Sequence, residues 1–509
     1  MTYMKTFDFI VVGGGTAGCV LAARLSESGA AHVLLLEAGG QPTDAVSDPA
    51  AWTRSLQGSS LDWAGSTVVQ ASTGTSVPWP RGRVLGGSSA INGMCFIRGH
   101  RASYDAWPDA GAEGWGFDDL LPFMRRSERT TGRDPAVRGT EGPLTVGPAP
   151  SHLPLAEAAL LAAEEAGYPR VADINSGLET GFGWSDLNIV QGRRQSAADA
   201  YLFPALNRPN LEVVTGAVAR RVLLEGERCA GVEYGVGTEV LQARCRGEVV
   251  LSAGTVGSAQ LLMLSGIGPA PHLRGVGITP VLDLPGVGEN LQDHPRSTVV
   301  YSAASPIPAT DANHAEVIGL IHSDESAGAP DLQVQLVEIP YFAPPLPPDL
   351  PIPGQGYSIA FSVVTPRSRG RIRLATNGPT TPPFLDPNYY SHPHDLTVMT
   401  AGLRVARAIG TSRALAPWRY EESLPGPGVQ GTEHVHDYLR KSLRTYSHQV
   451  GTCRMGTDDM AVVDTALRVR GIEALRVIDA SVMPTIVSAN TNATVYAIAE
   501  RGASILMGE

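Results

Sequence analysis

The sequence predicts an α/β protein that opens on a strand, a glycine-rich turn, a helix and a second strand. Three observations predict it. FDFIVV at 7–12 is a short apolar run rich in β-branched residues, GGGTAGCVLAARLSESGA follows it at once, and HVLLLEAGG comes next. In the turn, Gly13, Gly15 and Gly18 form GxGxxG. Missing side chains there allow a tight turn, close approach of a pyrophosphate and packing of the helix on the sheet. The amides that open the helix, around Thr16 and Ala17, would face phosphates. Gly29 suits the helix C-cap. Glu37, followed by Ala38, closes the second strand 22 residues after Gly15, where a carboxylate can accept hydrogen bonds from a ribose. Agreement of all four parts points to dinucleotide binding and leaves NAD and FAD equally open.

Later elements follow in order. GRVLGGSSAINGMCFIRG at 82–99 holds a small-residue turn able to hug a planar ligand. GTVGSAQLLMLSGIG at 254–268 follows the strand-like EVVLSAG and has the apolar spacing of a packed helix. Seven prolines between 340 and 356 exclude a helix or central strand there and suggest a rigid surface loop in preference to a lid. LTVMTAGLRVARAIG at 396–410 has the 3.6-residue period of an amphipathic packing helix.

Composition removes whole classes of function. Of 509 residues, 39 are Lys or Arg and 50 are Asp or Glu, a net charge of −11 that argues against nucleic acid as a partner. Only Lys5 and Lys441 are lysines, which makes Schiff-base chemistry improbable, and GK[ST], HExxH and GxSxG are all absent. Five scattered cysteines without CxxC suggest neither disulfides nor a thiolate metal site, so a reducing, cytoplasmic location is expected. The start MTYMK leaves no room for a signal peptide, and no stretch is apolar enough for a membrane span. The pairs His392/His394 and His434/His436 lack a third ligand nearby, and no metal is expected.

The segments at 82–99 and 254–268 resemble the two signatures of the glucose-methanol-choline (GMC) family of FAD-dependent oxidoreductases. SHQVGTCRMG at 447–456, VIDASVMP at 477–484 and ANTNATVYAIAERGA at 489–503 are similar to its C-terminal module, in the same order. The resemblance implies an α/β (α+β overall) protein: a Rossmann-type FAD-binding domain at 1–150, 205–297 and 440–509, and a substrate-binding domain built on an antiparallel sheet at 151–204 and 298–439. It places FAD against Gly13, Gly15, Thr16, Ala17, Gly18, Glu37, Ala38 and Arg83. It adds Gly86, Asn92, Gly93, Met94 and Cys95 along the flavin ring and Val218 near the adenine. Ala253, Gly254, Asp479, Ala480, Asn490, Thr491 and Asn492 complete the set. Ala90 and Ile91 stand where some relatives attach the flavin through a His, so FAD is expected to be non-covalent.

Oxidising an alcohol by hydride transfer to flavin N5 needs a base for the hydroxyl proton, and a neutral imidazole suits that task near pH 7. The resemblance assigns it to His448, with Ser447 and Gln449 where the family more often has an aromatic residue and Pro. It carries the partner position onto Asn490, which can hold the substrate oxygen without competing for the proton. Asn490 and Asn492 read equally as N-caps of the final helix, whose positive end would favour the anionic reduced flavin by about 1 kcal/mol. His294, in ENLQDHP, reads as structural, and Asp479 and Ala480 as the end of a strand. The expected function is oxidation of a small, non-ionic alcohol with oxygen or another electron acceptor. A lyase or decarboxylase on the same fold is the alternative.

Overall fold

The computed structural model describes residues 5–53, 55–178, 180–324, 328–341 and 354–508. Most of the proline-rich segment at 340–356, read above as a surface loop, lies outside the described residues.

Thr6–Val12 forms the expected first strand and pairs in parallel with Val33–Leu36 on one side and Glu239–Leu251 on the other. Across the sheet the order is Leu211–Val214, Val33–Leu36, Thr6–Val12, Glu239–Leu251, Arg228–Val236, Ala217–Glu225, with Leu475–Val477 also on Glu239–Leu251. Val33–Leu36, between two parallel strands, is apolar and buried throughout, as a strand covered on both faces requires. The other strands form an antiparallel meander that extends the sheet.

Two helices share one end of this sheet. Thr16 Oγ1 donates to Asn492 Oδ1 at 2.9 Å, and eight residues on along each helix Arg24 pairs with Glu500 at 2.8 Å, so Thr16–Leu25 and Asn492–Met507 run in parallel. Gly18 lets the first helix sit close on the glycine turn, since a Cβ there would lie 1.8 Å from Gly13 O. The first helix ends earlier than the sequence suggests. Ser26 is its C-cap, and Gly29 (φ +74°) turns the chain three residues later, donating to Ser26 O at 3.3 Å.

The second sheet is antiparallel, in the order Arg419–Leu424, Pro295–Ala303, Gly356–Val363, Leu332–Val337, Val317–Ile321, Gly181–Trp184. Leu332–Val337 reads LQVQLV, and period-two alternation divides its faces. Leu332 packs toward the helix Pro393–Gly410, where a Cβ on Gly402 would come 3.0 Å from Leu332 Cδ1 and 2.6 Å from Phe361 Cδ2. Gln333 and Gln335 project from the opposite face, toward the first sheet's loops. The fold is therefore of the mixed class expected, with one mainly parallel and one antiparallel sheet.

Residues 444–452 cross between the sheets. Arg444 and Thr445 pair with Arg296 and Pro295 of the antiparallel sheet. A few residues on, Gln449 O accepts from Thr255 Oγ1 at 2.6 Å and Thr452 Oγ1 donates to Thr255 O at 2.5 Å, on the first turn of the helix Gly254–Leu264. His448 sits in the middle of that crossing.

Candidate active site

The glycine-rich turn and the 82–99 segment meet backbone to backbone. Gly86 N donates to Gly14 O at 2.8 Å, and Gly87, at φ +53°, brings its Cα so near that a Cβ there would stand 2.6 Å from Gly15 Cα. Ala253 lies against Gly13, whose Cβ would come 2.8 Å from Ala253 Cα. The helices that begin at Thr16 and Asn492 both start without a side-chain cap, so their free amides and positive dipole ends converge beside this turn. The site fits a dinucleotide: a strip of backbone without Cβ atoms, lined by uncapped amides.

Glu37 stabilises the cradle itself. Its Oε2 accepts from Gly14 N and its Oε1 from Gly39 N, both at 2.7 Å, leaving each oxygen a further lone pair for a ribose. Ala38 lies between Glu37 and Gly39, and Ala217 N, next to Val218, donates to Glu37 O at 2.8 Å. The backbone of Arg83 abuts Gly39, and its guanidinium lies over the Trp63 ring at 5.0 Å. Asp479 acts in the same way. It follows the strand Leu475–Val477 and caps the 3-10 turn Ala480–Val482 instead of ending the strand. Its carboxylate accepts from Gly254 N (2.9 Å), Ser258 Oγ (2.5 Å) and Ser481 N (2.8 Å).

From the cradle the chain runs to the antiparallel sheet through Asn92–Cys95. Asn92 Oδ1 accepts from Met94 N at 3.0 Å and Arg194 Nη1 at 2.7 Å, holding Met94 at φ +59°. Gly93 faces the Trp52 ring, which a Cβ there would meet at 3.6 Å. Cys95 Sγ receives Gln335 Nε2 at 3.3 Å and Asn313 Nδ2 at 3.4 Å, and Gln335 Oε1 in turn accepts from Tyr446 OH at 2.7 Å. Tyr446 stacks on His448 with centroids 4.5 Å apart. The aromatic partner that the sequence lacks immediately before His448 is thus supplied two residues upstream.

The state of His448 follows from a chain of hydrogen bonds. His294 Nε2 lies 3.1 Å from Val364 O, which can only accept, so Nε2 carries the proton. Burial holds the His294 imidazole neutral, its pKa pushed down to about 3, which leaves its Nδ1 as an acceptor. His448 Nδ1 is 2.9 Å from that atom and must donate to it. His448 Nε2 therefore bears the lone pair, the form a base requires. Burial, then His294, then the Arg296 cation hold His448 well below the usual histidine range, so it is neutral at pH 7. Asp293 fixes the backbone beneath it: Oδ1 accepts from His448 N at 2.8 Å, while Oδ2 accepts from Tyr389 and Thr445.

Asn490 bonds into the network of Gln333, Gln335 and Tyr446, on whose ring His448 stacks. Gln333 Nε2 donates to Asn490 Oδ1 at 3.2 Å and to Tyr446 OH at 2.8 Å. Its use of Oδ1 orients the Asn490 amide and leaves Nδ2 to donate elsewhere. Neither Asn490 nor Asn492 caps the last helix: Thr491 holds that position and Asn492 Oδ1 is taken by Thr16. His294, read as structural from the sequence, directly contacts His448. Asp293, Arg296, Gln333, Gln335 and Tyr446 also belong to this centre and were missed, although LQDHP at 291–295 was a visible signal for Asp293. Of the HxH pairs, His392 caps the helix Pro393–Gly410 and His434 Nδ1 bonds Gln430 O at 3.0 Å.

Comparison with known proteins matches two family models, both described as GMC oxidoreductase, over residues 7–296 and 366–499. Human mitochondrial choline dehydrogenase is 38% identical across 99% of this chain and 90% of its own length. An alcohol dehydrogenase [acceptor] of Pseudomonas putida is 38% identical across 98% of this chain and 96% of its own. Among solved structures, pyridoxine 4-oxidase from Mesorbium loti superposes with a TM-score of 0.94 at 38% identity, covering 99% of both chains.

Proposed function

This chain belongs to the GMC oxidoreductase family, whose cofactor is FAD, and is an alcohol oxidoreductase of that family; from that premise we propose how its own residues act. His448 Nε2 takes the hydroxyl proton of the substrate, and Asn490 Nδ2 donates to the same oxygen, holding it and stabilising the charge that develops there. Bound FAD supplies the acceptor for the hydride that leaves the carbinol carbon. The observation that carries this reading is the forced tautomer of His448, since a lone pair on Nε2 is what a general base offers.

The glycine cradle, Glu37 and the two uncapped helix ends would hold the pyrophosphate and ribose, and the 92–95 segment would line the ring. We take FAD to be non-covalent, because residues 82–99 contain no histidine. The mainly parallel sheet with its flanks would form the FAD-binding domain, and the antiparallel sheet the roof over the substrate. Reduced enzyme would pass electrons to oxygen or another acceptor. The five cysteines are free, which fits the reducing, cytoplasmic location expected from the sequence, and among the described residues no helix is long and apolar enough to cross a membrane.

Anaerobic mixing of the FAD-loaded enzyme with a panel of alcohols tests the reading. Bleaching of the visible flavin band by at least one alcohol is expected, with recovery of the band when an acceptor is admitted. Turnover with the flavin remaining oxidised would replace this function with a lyase.

A further inference from the structure

The roof over His448 contains a buried cation that the proposed reaction does not use. Arg296 is 6% exposed and pairs with no carboxylate among the described residues. Its Nη2 donates to Tyr341 OH at 2.7 Å, its Nε has no partner among the described residues, and its guanidinium lies over the rings of Tyr341 and Tyr446 at 4.6 and 4.7 Å. Other buried arginines here are treated differently. Arg98 and Arg138 meet Glu128, and Arg138 also meets Asp186, while Arg194 is given three oxygen acceptors.

The register adds a second observation. Arg296 stands directly opposite Arg444 across the strand pair, and both guanidinium groups flank the Tyr341 ring, Arg444 at 5.4 Å. Like charges facing each other on neighbouring strands are destabilising, and burial of an unneutralised cation more so. A third observation locates the corner. Tyr446, beneath Arg296, stacks on His448, and Tyr341 packs on Trp52, which covers Gly93. Nearby, Gln333 Oε1 is buried without a partner.

We infer that Arg296 forms an oxyanion subsite, and that the alcohol this enzyme oxidises carries a carboxylate or phenolate elsewhere on its skeleton. The inference rests on the reading of the His448 centre as the site of alcohol oxidation and sharpens it. It departs from the expectation of a non-ionic alcohol, and it would set this chain apart from a relative named for choline, a cation. An anion bound at Arg296 supplies the missing counter-charge and occupies the orphaned Nε donor.

The test is binding, measured by calorimetry and by perturbation of the flavin spectrum in FAD-loaded enzyme without turnover. The probes are acetate and benzoate, their neutral counterparts acetamide and benzamide, phenol titrated across its ionisation, and choline. Carboxylates are expected to bind about tenfold or more tightly than the amides in wild type, H448A and R296K, and no better than the amides in R296Q. Phenol binding that strengthens as the phenolate forms would widen the class beyond carboxylates. Equal binding of acids and amides, preference for choline, no carboxylate binding at all, or a preference that survives in R296Q would overturn the proposal. R296K controls for folding, because it keeps the charge where R296Q removes it. Failure of every alcohol to bleach the flavin would refute the oxidation reading while leaving this binding result to stand or fall separately.

Discussion

His448 has its tautomer set by a neighbour that sequence distance conceals. The two imidazoles are 154 positions apart, and only the crossing of 444–452 between the sheets brings them to 2.9 Å. Motif resemblance was enough to single out His448 and Asn490, because each lies within a short run of family residues. It could not show that Val364 O dictates the tautomer of His294 and thereby of His448, since that relation exists only in three dimensions. His294→Phe removes the acceptor, and the rate of flavin reduction is expected to fall about 10- to 100-fold. His294→Asn, with an oxygen near the former Nδ1, should recover part of the loss, which a purely packing role would not allow. With His448 as the proposed base, the acid limb of the reduction rate is expected to follow its titration and to lie well below pH 6.5 in wild type. His294→Phe and R296Q each remove an influence that lowers this group, so in both variants the limb should move to higher pH. Stopped-flow reduction across pH reads each of these outcomes.

Among the elements, the first forty residues were the most legible. Strand, glycine turn, helix and strand are local, and local pattern dictates them. Less legible was the contact between that turn and the 82–99 segment, which depends on two glycines approaching backbone to backbone. Gly87→Ala would force a Cβ to within 2.6 Å of Gly15 Cα, at a residue with φ +53°. The variant is expected to purify with little or no yellow colour and to bind added FAD about tenfold or more weakly, as equilibrium titration would show. The cap of the final helix was misread for a related reason. Asn490 and Asn492 are good capping residues in isolation, but their side chains are claimed by Gln333 and Thr16 from distant parts of the chain. The first helix likewise stops at Ser26 and not at Gly29, because Ser26 Oγ bonds back to Ala22 O at 2.7 Å.

Across the whole molecule, the sequence revealed its two-sheet class through the family resemblance more than through periodicity, since strands such as Pro295–Ala303 are buried on both faces and show little alternation. Buried charge is where tertiary structure departs most from pattern. Glu338 is 2% exposed, neither of its oxygens has a partner, and burial followed by Glu316 pushes its pKa from 4.5 up to about 8. Below pH 4.5 the carboxyl is protonated whether the chain is folded or not. Between pH 4.5 and about 8 the unfolded chain releases that proton and the folded one keeps it, so stability declines as pH rises through this window. Glu338→Gln is expected to raise Tm by a few degrees near pH 8 and by less near pH 5, as thermal melts at the two pH values would show. None of this bears on the chemistry at the junction of the sheets, where one comparison is the most direct test. Anaerobic flavin reduction by an oxidisable alcohol should be measured in wild type and His448→Ala, with FAD content matched. The variant is expected to keep its flavin and lose about 10²- to 10⁴-fold in reduction rate; reduction of His448→Ala at the wild-type rate would contradict a base at this position.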